Sequence, residues 1–175
     1  MMERGQDARL IPMIVDLLEK LNIPFSALDK IAVTKGPGSF TGARVGLATA
    51  RGIGLAASVP VVGVDRFAIY HALHKGGGQN ILVVITSKRA ELFCKYFSLH
   101  GTAQDACLMT EEQIGDFIVS HPNTIRVRDS VNGDENVMAT CAELAAKADE
   151  KNPDFAPVPL YLRAPDVSFA AAKSR

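Results

Sequence analysis

Apolar and polar positions fall into two kinds of pattern along the chain. Between Ala8 and Leu21 apolar residues stand at Leu10, Ile14, Leu17, Leu18 and Leu21, the spacing of one helical face. Ile11 and Val15 join Leu18 in an adjoining stripe, so the apolar surface is wider than one core contact requires. Pro12 has no amide donor, which predicts that it sits in the first turn or kinks the helix. Asn22-Ile23-Pro24 ends this helix, Ser26 to Asp29 form a turn, and Lys30–Thr34 reads as a β-branched strand. A second helix starts from a cap at Ser39 or Thr41 and runs to about Ser58, before Pro60. Val61–Val64 is a second short strand, and a third helix covers roughly Asp65–His74. Strands alternating with helices predict a parallel α/β layer.

Gly76-Gly77-Gly78 marks a boundary, because three flexible residues favour a turn or hinge over any regular element. The predicted units are an N-terminal lobe over 1–75, a C-terminal lobe over 79–167 and a tail over 168–175. Beyond the glycines, Ile81–Thr86 and Ala90–Ser98 read as two strands around Ser87-Lys88-Arg89, an antiparallel hairpin. Thr110-Glu111-Glu112-Gln113 is a capping-box start for a helix to about His121. Thr124–Arg128 is a strand that alternates apolar and basic residues. Asn136–Glu150 is an Ala-rich helix suited to close packing, and Pro153, Pro157, Pro159 and Pro165 make the tail extended.

Only two parallel strands precede Gly76, and a two-stranded sheet is marginal in water and leaves its edges open. The N-terminal lobe is therefore expected either to borrow order from a partner or to lack its opening strands.

With 175 residues, 47% hydrophobic and 22% charged, the chain can bury a core. Nineteen basic and nineteen acidic residues cancel, which disfavours tight nucleic-acid binding by this chain alone. Cys94, Cys107 and Cys141 are widely spaced with no CxxC pair, the usage of small buried hydrophobes in a reducing compartment. No apolar run approaches the ~18–20 residues that span a bilayer. The residues from Met1 to Asp7 lack the apolar centre of a signal peptide, so the expected location is the cytoplasm.

Candidate chemistry centres on Lys35-Gly36-Pro37-Gly38-Ser39-Phe40-Thr41-Gly42, between a strand and a helix. It is neither a P-loop, since no Gly-Lys-Ser/Thr closes it, nor the dinucleotide fingerprint, whose third glycine would come one residue earlier. Gly36, Gly38 and Ser39 at a helix N-terminus suit an anion such as phosphate; alternatively, the glycines only shape the backbone. In the helix that follows, Gly42, Gly46, Ala50, Gly54 and Ser58 recur every four residues, leaving one ridge almost bare. Helix-interior glycine costs about 1 kcal/mol relative to alanine, so the ridge implies close packing, on the first helix or on another subunit. His71 and His74 lack a third ligand and read as a solvated helix end. Ser39 has no His/Asp set for a nucleophilic triad. Arg126 and Arg128 lie on one strand face and are candidates for nucleic-acid contact, against the plainer reading of a solvated edge.

The run from Lys35 to Gly46, its continuation to Gly52, Pro60-Val61-Val62-Gly63-Val64, the Arg9–Ile14 start of the first helix and the Pro159–Asp166 tail resemble the TsaB (YeaZ) family. The resemblance is strong over 6–75, weak through the middle, and returns near 157–167. It implies an α/β actin/hexokinase-like (ASKHA, ribonuclease H-like) two-lobe fold. It also implies a role in forming threonylcarbamoyladenosine beside the anticodon of tRNA. There TsaB is the non-catalytic subunit, paired with the catalytic paralogue TsaD and joined by the ATPase TsaE. Family members open with a strand hairpin carrying an Asp-Thr-Ser type loop. No counterpart precedes the first helix here, so the expectation is a fold apparently lacking its opening N-terminal strands, with fast amide exchange over Lys30–Thr34.

The metal-binding relative carries a His-x-x-x-His pair after the strand matching Val61–Val64; those positions are Arg66 and Tyr70 here. Arg66 would repel a cation, and His71, about 100° further around the helix, does not restore the pair. The resemblance thus implies no catalytic residues, no metal and no intrinsic cofactor, with ATP or ADP only at a complex interface. It places the partner interface on two helices: Leu10, Ile11, Ile14, Val15 and Leu18 on the first, and Gly42, Val45, Gly46, Thr49, Ala50 and Ile53 on the second. The expected partners are the TsaD-like paralogue, a TsaE-like ATPase, a second copy of this chain when alone, and tRNA only through the complex, with no membrane. Alternative readings are an ATP-dependent enzyme of the same fold and a metallopeptidase-like relative.

Overall fold

The computed structural model describes residues 6–129 and 135–163. The 168–175 tail, Pro165 and the Ala164–Asp166 end of the tail motif lie outside the described residues. Five helices and six strands follow in the order α1 (Gln6–Lys20), β1 (Ile31–Thr34), α2 (Phe40–Ala57), β2 (Val61–Val64), α3 (Arg66–His74), β3 (Asn80–Ile85), β4 (Leu92–Phe97), β5 (Cys107–Met109), α4 (Glu111–Ser120), β6 (Thr124–Arg128) and α5 (Glu135–Lys147) among those residues. Short 3-10 turns cover Phe25–Ala27 and Pro153–Phe155. The protein is a mixed α/β fold.

Of the two placements expected for Pro12, the structure removes the first: it is the seventh residue of α1 and lies outside the first turn. Its missing amide leaves the Ala8 carbonyl without its usual intrahelical partner. The helix ends at Asn22, which takes the left-handed conformation at φ 53°. Ser39 is the cap of α2, accepting a hydrogen bond from the Gly42 amide, and Ser58 closes that helix with φ 55°. Asp65 caps α3 through the Ala68 amide, and Thr110 with Gln113 forms a complete capping box on α4.

The strands form two sheets. In the smaller, β1 and β2 run parallel in register from Ile31↔Val61 to Thr34↔Val64. The larger has the order β5-β4-β3-β6, with β3–β4 and β4–β5 antiparallel and β3–β6 parallel. Sequence reading did not resolve β5, which has three half-buried residues and pairs only with β4.

Helices cover these sheets by side-chain parity. Ile81, Val83 and Ile85 of β3 pack with Phe67 and Tyr70 of α3, while Leu82 and Val84 pack with Ile114 of α4. Val62 and Val64 of β2 pack with Ile69 of α3, with Cys141 and Ala145 of α5 and with Ala148 just beyond it. The distant helix α5 therefore covers the N-terminal sheet. Lys30 Nζ fixes its end by donating to the Ala145, Ala146 and Ala148 carbonyls at 2.9–3.4 Å, a cation at a helix C-terminus.

Within the chain, the C-terminal part of the α2 ridge packs on the smaller sheet, while Gly46 and Ala50 also line the groove facing α1. A methyl group on Gly54 would overlap Val61 Cγ2 and come within 2.7 Å of the Val59 carbonyl oxygen. One on Gly46 would lie 3.8 Å from Val33 Cγ2. The bare ridge lets α2 settle directly onto β1 and β2.

Candidate interaction surface and glycine turn

Two places carry the sequence-derived candidates: the α1–α2 flank and the turn from Gly36 to Ser39. On the flank, Leu10, Ile14 and Leu18 of α1 face Gly46, Thr49, Ala50 and Ile53 of α2 across a groove of about 280 Å³, floored by β1 and Phe25. Val15 and Leu18 border a second groove with Ile23, Pro24 and Phe25. Ile11 belongs to neither and stands outward, 51% exposed, with Met13 at 53% and Leu17 at 56%. Gly42 and Val45 do not line the larger groove; Gly42 sits against its own cap residue Ser39. Of the eleven residues, seven line the larger groove, Val15 borders the second, Ile11 alone faces outward, and Gly42 and Val45 stand at the start of α2.

At the turn, Gly36 takes φ +105°, a conformation that disfavours any side chain, and its peptide to Pro37 is cis. The chain's own atoms fill the space above it. The Leu160 carbonyl oxygen lies 3.3 Å from where a Gly36 methyl would be, and the Leu160 amide donates to the Lys35 carbonyl at 2.8 Å. Arg66 Nη1 lies 3.2 Å from the corresponding position on Gly38 and donates to the Pro37 carbonyl at 3.0 Å. Ser39 Oγ accepts from the Gly42 amide at 3.2 Å and keeps its hydroxyl proton to donate. A phosphate needs open donors, and at Gly36 it would meet a carbonyl acceptor instead. The turn fits a packed joint better than a nucleotide cradle.

Arg66 extends this joint to the larger sheet. Its Nη2 meets Asp129 Oδ2 at 3.0 Å, while Asp129 Oδ1 accepts from the Thr86 amide at 2.8 Å and hydroxyl at 2.7 Å. Sequence reading treated Arg66 only as a lost metal ligand and missed Asp129, 63 residues away. Tyr70 is buried under α3, its ring 5.8 Å from the Arg66 guanidinium carbon. Among the described residues no group of three His, Cys, Asp or Glu side chains converges as a metal set.

A second structural element absent from the sequence reading is the strap 156–160. It crosses β2 so closely that a methyl on Gly63 would come within 2.6 Å of the Ala156 carbonyl oxygen. The signal was the glycine within Val-Val-Gly-Val, since a strand glycine marks close backbone approach. Lys35 Nζ adds a bond to the Asp154 carbonyl at the strap's start.

One histidine differs from expectation. His71 stacks on Phe97 with ring centroids 4.2 Å apart, and burial, then the nearby Lys75 charge, lowers its pKa below 6.5. His74 Nδ1 lies 2.9 Å from the Tyr70 carbonyl oxygen. His71 therefore departs from the solvated reading, whereas His74 is exposed at the end of α3, as expected. Arg126 and Arg128 project from the edge strand β6, and both pair with Glu111, at 2.7 and 3.0 Å.

Residues 2–127 match the profile of the family described as "TsaD: tRNA N6-adenosine threonylcarbamoyltransferase". The chain belongs to this family, among its TsaB/YeaZ members. It is 29% identical over 116 residues to the tRNA threonylcarbamoyladenosine biosynthesis protein TsaB of Escherichia coli K12, across 62% of this chain and 50% of that protein. It is 45% identical over 102 residues to the TsaB of Buchnera aphidicola subsp. Baizongia pistaciae, across 53% of this chain and 44% of that protein. The matched stretch thus spans about half the length of these curated relatives. Among solved structures, YeaZ from Pseudomonas aeruginosa superposes with a TM-score of 0.62 at 21% identity, over 91% of this chain and 86% of that one. A crystal structure of "an uncharacterized protein with similarity to peptidase YEAZ" from the same organism gives 0.63 at 22% identity, over 91% and 85%. These likenesses establish that this TsaB/YeaZ chain shares the YeaZ fold. Among its described residues, no helix is long and apolar enough to cross a membrane.

Proposed function

We propose that this chain is a non-catalytic scaffold in tRNA threonylcarbamoyladenosine formation, docking a catalytic TsaD-like paralogue through α1 and the adjoining edge of α2. The reading includes an actin/hexokinase-like two-lobe fold divided at the Gly76–Gly78 turn and a cytoplasmic location. A TsaE-like ATPase joins the assembly, and tRNA is reached only through it. Alone, the chain pairs with a second copy through the same surface. The chain carries no cofactor or metal of its own, and an adenine nucleotide belongs to the interface with the paralogue.

The observation that carries this reading is the outward apolar surface of α1. Ile11, Met13 and Leu17 are each more than half exposed beside an open apolar groove. A contiguous apolar patch of this kind marks an interaction surface. A standard interface would bury about 1,600 Å² in total.

The test uses charges at positions that support nothing within the chain. Gly46→Leu is a less clean probe, because its side chain would fill the α1–α2 groove beside Val33. Ile11→Glu and Met13→Glu, at exposed positions that line neither groove, should together leave the melting temperature within about 2 °C and abolish co-purification with the TsaD-like paralogue. Unchanged co-purification would overturn the docking surface.

A further inference from the structure

We propose that Cys94 and Cys107 are a modification site, a cross-strand dithiol that a hydroperoxide closes to a disulfide, fastening β5 to β4. The two residues stand directly opposite each other in the antiparallel β4–β5 pair. Opposed residues of such a pair point to the same face, and both thiols join the core cluster under α4 with Ile114 and Phe117. Opposed Cα atoms in antiparallel strands lie about 4.5 or 5.5 Å apart, and either value falls within the ~4.4–6.8 Å that a disulfide requires. The Cβ atoms must approach by up to about 1 Å. That movement is available because β5 is a three-residue edge strand with Cys107 at its first position.

Access is asymmetric. Cys94 is buried and Cys107 is only partly covered, so Cys107 meets the oxidant first. Burial raises the Cys107 pKa. Burial, the neighbouring Cys107 and Glu111 push Cys94 up to about 12 against the opposing charge of Arg126. Both are therefore thiols at neutral pH, and closure is slow and accelerates as pH rises.

The Cys107 thiolate attacks one peroxide oxygen, forming an S–O bond and breaking O–O; the departing alkoxide or hydroxide takes the thiol proton. Cys94 then attacks the Cys107 sulfur of the sulfenic acid, forming S–S and breaking S–O, and hydroxide leaves with the Cys94 proton as water. Two thiols lose two electrons, and the peroxide gains them.

The third cysteine is an internal control. Cys141 sits in a different core cluster, between α5 and β2. The folded full chain is incubated with hydrogen peroxide, and free thiols are counted before tryptic mapping; cleavage after Lys95 separates Cys94 from Cys107. Thiols should fall from three to one, with a peptide pair joined Cys94–Cys107 and restored by dithiothreitol. Cys141→Ser should retain that link, and Cys107→Ser should lose it. Persistence of all three thiols in the folded chain while the urea-unfolded chain oxidises would overturn the proposal. So would oxidation of Cys107 to sulfinic acid with Cys94 still free, or a link to Cys141 instead.

Discussion

In the larger sheet every β3 residue from Ile81 to Ile85 is buried, with α3 on one face and α4 on the other. In the smaller sheet β1 contains no buried residue, and one of its edges has no strand partner among the described residues. The central strand β3 and the strands β1 and β2 are all built largely from aliphatic residues, so strand composition alone does not explain why β3 is buried and β1 is not. What differs is coverage. The larger sheet is enclosed by α4 from within its own stretch of sequence and by α3, which leads directly into β3 and also packs on β2. The smaller one depends on α5 from the far end, on the 156–160 strap, and on a helix, α2, brought close by its missing side chains. A fold region held by distant segments and a bare helix ridge has capacity to spare for a partner at its open flank.

The largest test of that comparison is at Gly54, where α2 touches the smaller sheet. Gly54→Val forces a side chain into Val61 and the Val59 carbonyl, and should lower unfolding free energy by about 3 kcal/mol in urea titration. Gly52, two positions earlier, is exposed and a methyl there meets nothing within 4 Å. Gly52→Ala should therefore stabilise by about 0.5–1 kcal/mol. Equal effects at the two glycines would break the claim that close packing on the sheet explains the ridge.

A smaller effect is expected at the joint between the sheets. Asp129→Ala removes the acceptor shared by Arg66 and Thr86 and leaves a guanidinium that is only 24% exposed facing a gap. The expected cost is about 2 kcal/mol, with Asp129→Asn milder because an acceptor for the Thr86 amide survives. If the two substitutions were equally damaging, charge pairing with Arg66 would be the dominant contribution; if neither mattered, the sheets would be joined by packing alone.

Local chemistry was readable in advance where a residue acts on its near neighbours. The Ser39 cap, the Thr110–Gln113 box and the antiparallel β3–β4 hairpin are of this kind, since each is closed within a few residues. The α2 ridge was legible as a demand for close packing, but its partner was not. Period-four glycines state that something approaches and say nothing of whether it is a helix or a strand. Pro12 left two placements open in the same way: with a helix starting near Ala8 it could fall in the first turn, whereas α1 begins at Gln6 and carries it internally. The Arg66–Asp129–Thr86 joint, the strap on Gly63 and the Lys30 contacts to α5 stayed hidden. They link positions more than 60 residues apart or, at Thr86, a backbone amide that no side-chain pattern displays. At the candidate interaction surface, the apolar width of α1 was legible; which of its residues line the groove and which face outward required the three-dimensional arrangement.

The smallest expected effect concerns His71, which carries α3 across to β4 of the enclosed sheet. Its ring stacks on Phe97, and burial followed by Lys75 holds its pKa below the 6.5 of the unfolded chain. Between the two pKa values the unfolded state binds a proton that the folded state does not, so stability rises with pH there. The contribution is intact above pH 6.5, is lost as pH falls toward the folded pKa, and changes no further below it. His71→Phe keeps a ring against Phe97 and removes the titration. Melting curves recorded from pH 7.5 down to 5 should therefore show a shallower acid-side decline in the variant, with the two proteins diverging only below about pH 6.5. Parallel declines would mean that α3 tolerates a charged imidazole at this contact, and that the enclosed sheet is looser at its α3 edge than its buried β3 residues imply.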